Sequence, residues 1–157
     1  MKKLSLTMLV SLFLSLSCLQ AYADSSSEAN LKIGKAYMKE NTKNPKVVTL
    51  PSGLQYEVLV EGKGDKPKQS DTVTVDYEGK LVNGKVFDSS YARGEPISFP
   101  VGGVIAGWQE ALKLMNTGST WMLYIPPSLA YGKQGAGGMI GPNETLIFKV
   151  HLIGIEK

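Results

Sequence analysis

Apolar and polar residues follow a period of two over most of the C-terminal two thirds of this chain, which is the pattern of half-buried strands. Tyr56, Val58 and Val60 form a first run, ended by Gly62, Lys63, Gly64 and Asp65. Val73, Val75 and Tyr77 alternate with Thr72, Thr74 and Asp76, and the run continues to Leu81 and Val82. Asn83-Gly84 follows, a dipeptide that predicts a tight hairpin with both turn residues at positive φ. Val86 and Phe87 begin the return strand, Asp88, Ser89 and Ser90 interrupt it, and residues 93–96 form a loop before a strand over Ile97 to Phe99. Ile105, Trp108, Ala111, Leu112 and Met115 change the period: they fall at i, i+3, i+6, i+7 and i+10, one stripe of a helix. Asn116, Thr117 and Gly118 end it. Thr120 to Ile125 is a strand stopped by Pro126-Pro127, and Leu146, Phe148, Val150 and Leu152 alternate in the last one. Antiparallel strands crossed by one short helix define an α+β domain, with no repeat and no second domain.

Ahead of this domain the pattern differs. Residues 24–44 are polar with Leu31, Ile33, Ala36, Tyr37 and Met38 interspersed, which predicts a short amphipathic stem helix, a stalk that packs lightly on the domain, with the remnant of a dimerisation arm as the competing reading. Ser25 to Ser27 offer its start, Asn44-Pro45 its stop, and Gly34 weakens it. Further back, Met1-Lys2-Lys3, an apolar run from Leu4 to Leu16 and Ala21-Tyr22-Ala23 are the three parts of a secretory signal peptide, cleaved before Asp24. The run is short for a membrane span, which needs about 20 apolar residues. A retained anchor and lipid attachment at Cys18 are the competing readings of the same residues. The division expected is therefore a leader over 1–23, a stem and linker over 24–49, and the domain over 50–157.

Charge removes one class of function. The formal charge is +3, but Lys2 and Lys3 lie in the leader, so 17 − 2 = 15 basic residues face 14 acidic ones beyond it. No basic excess is left to hold nucleic acid. Cys18 is the only cysteine, and its loss with the leader removes thiolate chemistry and cysteine-bound metals. His151 is the only histidine and alternates with strand residues, so a hydrolytic triad has no support and no metal site is expected. The glycines between 132 and 141 lack the following helix and the Lys-Ser/Thr pair of a phosphate loop, and read as a flexible strand-to-strand connection.

What is left is aromatic. Tyr77, Phe87, Phe99, Trp108, Tyr131 and Phe148 come from different elements, each at an inward phase or an element end. A plain core accounts for most of them. Trp108 in the first turn of the helix and Tyr131 beside glycines point instead to a concave site, where such side chains combine apolar area with a polar tip. The segments Val73 to Gly79, Val86 to Ser90, Val104 to Trp108, Ile125 to Pro127, Leu129 to Gly132 and Leu146 to Phe148 together resemble the FKBP family of prolyl isomerases, in family order and spacing. Leu50 to Tyr56 and Ile140 to Leu146 are nearer still to the bacterial macrophage infectivity potentiator proteins, and the likeness runs from about Lys32 to the C-terminus.

The resemblance implies an antiparallel half-barrel wrapped around one short helix, and a peptidyl-prolyl cis/trans isomerase acting in the periplasm, at the outer membrane or outside the cell. By the resemblance, Asp88, Tyr131 and the Ile105 N–H are catalytic, with Arg93 supporting Asp88. Tyr77, Phe87, Ile97, Phe99, Val104, Trp108, Ile140 and Phe148 bind the proline, with Trp108 as the floor. No cofactor is needed, proline-containing polypeptides are the partners, and macrolides would be inhibitors. The reduced N-terminal region favours a monomer, with no stable membrane insertion once the leader is cleaved. Ile97 stands where animal members commonly carry an aromatic, and Ala136 where some carry histidine. A non-catalytic proline-binding module, acting as a periplasmic chaperone or adhesion factor, would use the same pocket.

Overall fold

The computed structural model describes residues 6–156, with side chains from residue 24 onward. Seven strands form one antiparallel sheet: β1 (Val47–Thr49), β2 (Gln55–Val60), β3 (Thr72–Leu81), β4 (Val86–Ser89), β5 (Ile97–Pro100), β6 (Thr120–Ile125) and β7 (Leu146–Glu156). Their order is β1-β2-β6-β7-β3-β4, with β5 also on β3. The two long strands pair from Thr72↔Glu156 to Leu81↔Leu146 and make the spine. Val73, Val75, Tyr77 and Leu81 of β3 meet Leu123 and Ile125 of β6 and Leu146, Phe148, Val150 and Leu152 of β7 in one buried cluster. The period-two pattern thus marks the inner face correctly.

The helix predicted from the Ile105–Met115 stripe is α3 (Ala106–Leu114). Trp108, Ala111, Leu112 and Met115 are all buried against the sheet. Gly107 lets the helix come close: a Cβ there would lie 2.6 Å from Ile125 Cγ2. The sheet bends around this helix, as the half-barrel expectation had it.

The far edge of β3 is divided. β5 pairs with residues 72–75 and β4 with residues 78–80, which leaves Asp76 and Tyr77 between them. The gap is filled by α2 (Ser90–Arg93), a short helix absent from the sequence pattern. Ser90, fully buried, accepts from the Tyr77 N–H at 2.8 Å and donates to Asp76 Oδ1 at 2.8 Å. Ser89 caps α2 by accepting from the Ala92 N–H, and Gly94 closes it in the left-handed region at φ 77°. So Asp88-Ser89-Ser90 does not break β4. It ends the strand, caps a helix and satisfies the split edge in three successive residues.

Two further expectations change. The β3–β4 hairpin has only Gly84 at positive φ (87°), not both turn residues. Leu81 and Lys85 flank a three-residue loop in which the Gly84 N–H donates to the Leu81 carbonyl and Asn83 Oδ1 accepts from the Lys85 N–H. That is a turn followed by a left-handed glycine, the next most common hairpin solution. The stem helix is also longer than expected: α1 runs from Leu6 to Asn41. Ser25 to Ser27 do not start it, because the chain before them is already helical and a cap is needed only where N–H groups are orphaned. Its packing is closer than a stalk's. Gly34 lies against the buried Thr145, where a Cβ would meet Oγ1 at 2.2 Å. Asn30 Nδ2 donates to the Pro142 carbonyl at 2.9 Å, Asn143 Nδ2 to Ser27 Oγ at 2.8 Å, and Gln55 Nε2 to the Met38 carbonyl at 2.9 Å. The leader assigned to residues 1–23 lies outside the described side chains.

Candidate active site

A cavity of about 480 Å³ opens between the first turn of α3 and the inner face of the sheet. Trp108 supplies its base. Three rings stand nearly perpendicular to the indole: Tyr77 at 5.3 Å and 89°, Phe148 at 5.3 Å and 85°, Phe99 at 5.8 Å and 83° between centroids. Phe87 continues the wall, edge-on to Phe148 at 5.5 Å. Edge-to-face contacts fix each ring by its quadrupole as well as its area, so the cavity keeps its shape when empty. Gly79 makes room behind the wall, since a Cβ there would lie 2.6 Å from both Phe87 and Phe148.

Val104 and Ile105 form the side where the chain enters α3, and the Gln109 side chain ties that corner by donating to the Val104 carbonyl at 2.7 Å. Ile105 is the N-cap residue, with extended φ and ψ of −57° and 152°, and its N–H has no acceptor among the described residues. The Trp108 indole N–H is likewise buried without one. Tyr131 and Ile140 close the opposite side from the glycine-rich segment. That segment is not an open connection, because Ala136 and Ile140 exchange both main-chain hydrogen bonds, at 2.9 and 3.0 Å.

The one charged group in the lining is Asp88, and both its oxygens are engaged. The Tyr77 hydroxyl donates to Oδ2, and Arg93 Nη1 donates to Oδ1 in an ion pair. Arg93 also reaches the Tyr77 hydroxyl with Nη2 at 3.3 Å, and its guanidinium carbon lies 5.8 Å from the centre of that ring. Burial works to raise the Asp88 pKa, but the hydrogen bonds from Tyr77 and Arg93 and the guanidinium charge outweigh it and hold the carboxyl below its usual range. Tyr77 moves the other way, first through burial and then through its bond to Asp88, so the phenol stays protonated.

Ten of the eleven carried-over pocket positions line this cavity: Tyr77, Phe87, Asp88, Phe99, Val104, Ile105, Trp108, Tyr131, Ile140 and Phe148. Arg93 stands just outside and reaches in through Asp88. Ile97 does not line it. Ile97 pairs with Val75 in β5 and packs on the core beside the site. Gly103, Ala136, Gly137 and Met139 do line it and were not assigned. Gly103 and Gly137 carry no side chain and Met139 sits at a loop tip without period, so no pattern in the sequence marks them, while Ala136 is marked only by the resemblance, as the position where some members carry histidine.

An open antiparallel sheet bent around one helix, with a rigid aromatic cavity at their junction, defines an α+β binding fold in which the helix N-terminus and one sheet edge share the ligand. A family model described as FKBP-type peptidyl-prolyl cis-trans isomerase matches residues 63–153, and one described as the domain amino terminal to FKBP-type peptidyl-prolyl isomerase matches residues 7–58. The chain belongs to the FKBP-type peptidyl-prolyl cis-trans isomerase family. It is 56% identical over 128 residues to the peptidyl-prolyl cis-trans isomerase Mip of Coxiella burnetii, covering 82% of this chain and 56% of that protein. It is 53% identical over 131 residues to the outer membrane protein MIP of Legionella longbeachae, covering 83% and 56%. The crystal structure of FkpA from Escherichia coli superposes with a TM-score of 0.87 at 42% identity, covering 99% of this chain and 75% of that one. The chain spans about half the length of the curated relatives it matches.

Proposed function

We propose that this protein is an exported peptidyl-prolyl cis/trans isomerase that holds the proline ring on Trp108 while the Xaa-Pro bond rotates. The observation that carries the reading is the fixed cage of aromatic rings around Trp108 with one ionised carboxylate on its wall. Rotation about an Xaa-Pro bond meets a barrier of about 18–20 kcal/mol and takes tens to hundreds of seconds unaided. Each 1.36 kcal/mol removed is worth about tenfold, so a useful catalyst removes only a few.

No bond is broken, and the work is differential binding of the twisted amide. The planar amide is the more charge-separated form, because twisting switches off its resonance. An apolar cavity therefore destabilises the planar amide relative to the twisted one and lowers the barrier. The Ile105 N–H, without an internal acceptor, holds a substrate carbonyl, and the Tyr131 hydroxyl on the facing side holds another. Asp88 acts as a positioning group. With both oxygens engaged, its carboxylate fixes the Tyr77 ring against Trp108 and Phe148, and its charge faces the cavity.

Export rests on the leader over residues 1–23 and on the name of one relative, an outer membrane protein. Among the described residues no helix is long and apolar enough to cross a membrane. The contacts of Ser27, Asn30 and Met38 with the domain lie beyond residue 23, so cleavage before Asp24 leaves them in place. The volume of the cavity suits a drug-sized ligand, which supports macrolide inhibition.

The test is isomerisation of a short Xaa-Pro peptide by wild type, Trp108→Ala, Tyr131→Phe and Asp88→Leu, each checked for folding by circular dichroism. Acceleration that falls about tenfold or more in folded Asp88→Leu and Trp108→Ala is the expected result. A folded wild type that gives no acceleration, yet binds proline peptides, would instead establish a binding module.

A further inference from the structure

A second cavity, about 590 Å³, lies between α1 and the segments around Pro126-Pro127, Gly132-Lys133 and Asn143 to Thr145. Three features give it a chemistry. Lys35 and Lys39 from α1 and Lys133 from the facing loop line it, all exposed, and no acidic residue does. None of the three lysines has an ion-pair partner among the described residues. Second, the Pro126-Pro127 wall is apolar and has no N–H to offer. Third, Gln55 lines the groove at 3% exposure. Its Nε2 donates to the Met38 carbonyl at 2.9 Å, while its Oε1 is buried with no donor among the described residues. Turning the amide over would set two oxygens together, so the orphan is an acceptor by construction.

We propose that this groove binds an extended, acidic polypeptide segment. The lysines meet its carboxylates, the prolines its apolar side chains, and Gln55 Oε1 one of its main-chain N–H groups. A phosphate or sulfate ion would satisfy the lysines but brings no N–H to Gln55. A buried acceptor left without a donor is the costly state, and a peptide amide relieves it. The placement gives the site a use. Gly132 lines the groove while Tyr131, its neighbour, lines the prolyl cavity, so one short segment is the wall between the two. A client chain held in the groove keeps its prolines near the cavity. The inference does not depend on turnover, because none of the groove's contacts with the segment involves a prolyl bond.

The experiment is fluorescence anisotropy of a labelled peptide of about 10 residues, roughly 33 Å when extended, made of Glu, Leu and Ala. It is titrated with the protein at low salt, beside a version with Lys in place of Glu. Wild type is expected to bind the acidic peptide, with affinity falling about tenfold or more in the combined variant Lys35→Glu, Lys39→Glu, Lys133→Glu and in high salt. Gln55→Leu is expected to weaken binding without altering the salt dependence. Isomerisation of a short prolyl peptide should stay within about twofold of wild type in the lysine variant, which shows it folded. Absence of binding to wild type overturns the proposal. So does equal binding by the lysine variant, equal binding of the basic peptide, or displacement by a proline-pocket ligand. Equal binding of inorganic polyphosphate would mark a general anion surface and overturn the polypeptide assignment.

Discussion

Tyr77→Phe removes a single hydroxyl and leaves the ring that stands against Trp108, so it isolates what the bond to Asp88 contributes. A hydrogen bond to a charged group contributes about 1.5–3 kcal/mol. The Asp88 side chain is 40% exposed, so water replaces part of the lost donor, and about half of that range, near 1 kcal/mol, is the expected loss. With an m-value of about 2 kcal/mol/M the urea midpoint drops by about 0.5 M. The pH dependence supplies the sharper test. Asp88 has a lowered pKa in the folded protein, so its stabilising contribution is complete above the unfolded carboxylate value of about 3.9 and fades as pH falls through the folded value. Without the hydroxyl, the variant lowers the Asp88 pKa less, so its contribution fades at higher pH. The stability gap between wild type and variant should therefore be full at pH 7 and begin to narrow only below about pH 3.9, as pH falls through the folded values. Urea melts at a series of pH values measure it. A gap that is absent at pH 7, or that widens as pH falls below about 3.9, would refute the account of Asp88 as an ionised group held by Tyr77.

Gly79→Ala should shrink the cavity from behind. Its Cβ would press on Phe87 and Phe148 at 2.6 Å, which costs about 1–3 kcal/mol and should raise KM for a prolyl peptide more than it lowers kcat. Gly34→Val decides whether α1 is a docked element or a stalk. A free helix would gain from losing a glycine, by several tenths of a kcal/mol, whereas a helix packed on Thr145 at 2.2 Å must lift away. Limited trypsin digestion at Lys32 and Lys35 should be faster in the variant; slower digestion and a raised melting temperature would favour the stalk.

The parts of this molecule that repeat along the chain were legible, and the parts that depend on one atom meeting another were not. Val73, Val75 and Tyr77 declare an inner face by period alone, and Trp108, Ala111, Leu112 and Met115 declare a helix face in the same way. The pocket rings became legible only as a set, because each aromatic taken singly is an ordinary core residue. The roles of Ser89 and Ser90 were hidden, since capping a four-residue helix and bridging a split sheet edge leave no periodic trace. Gly34 was misread for a related reason. A glycine in a helix lowers its propensity, and the compensating approach to Thr145 comes from a residue more than a hundred positions away. Ile97, assigned to the pocket by family position, pairs with Val75 in β5 and packs on the core.

The divided edge of β3 explains why the charged group sits where it does. An uninterrupted β4–β3–β5 arrangement would need one continuous partner for the whole of β3, and its side chains would alternate strictly in and out. Ending β4 at Ser89 frees the chain to turn through α2, which carries Arg93 back over the Tyr77 hydroxyl. Asp88, last but one in β4, then lies between a phenol from the spine strand and a guanidinium from the new helix. The two partners contribute differently. Tyr77 is rigid but neutral, and the Arg93 side chain is charged but 43% exposed and screened. Together they keep a carboxylate ionised beside the aromatic rings, which burial alone would oppose. The end of β4 at Asp88-Ser89-Ser90 is therefore the device that allows charge and apolar surface to share one small cavity.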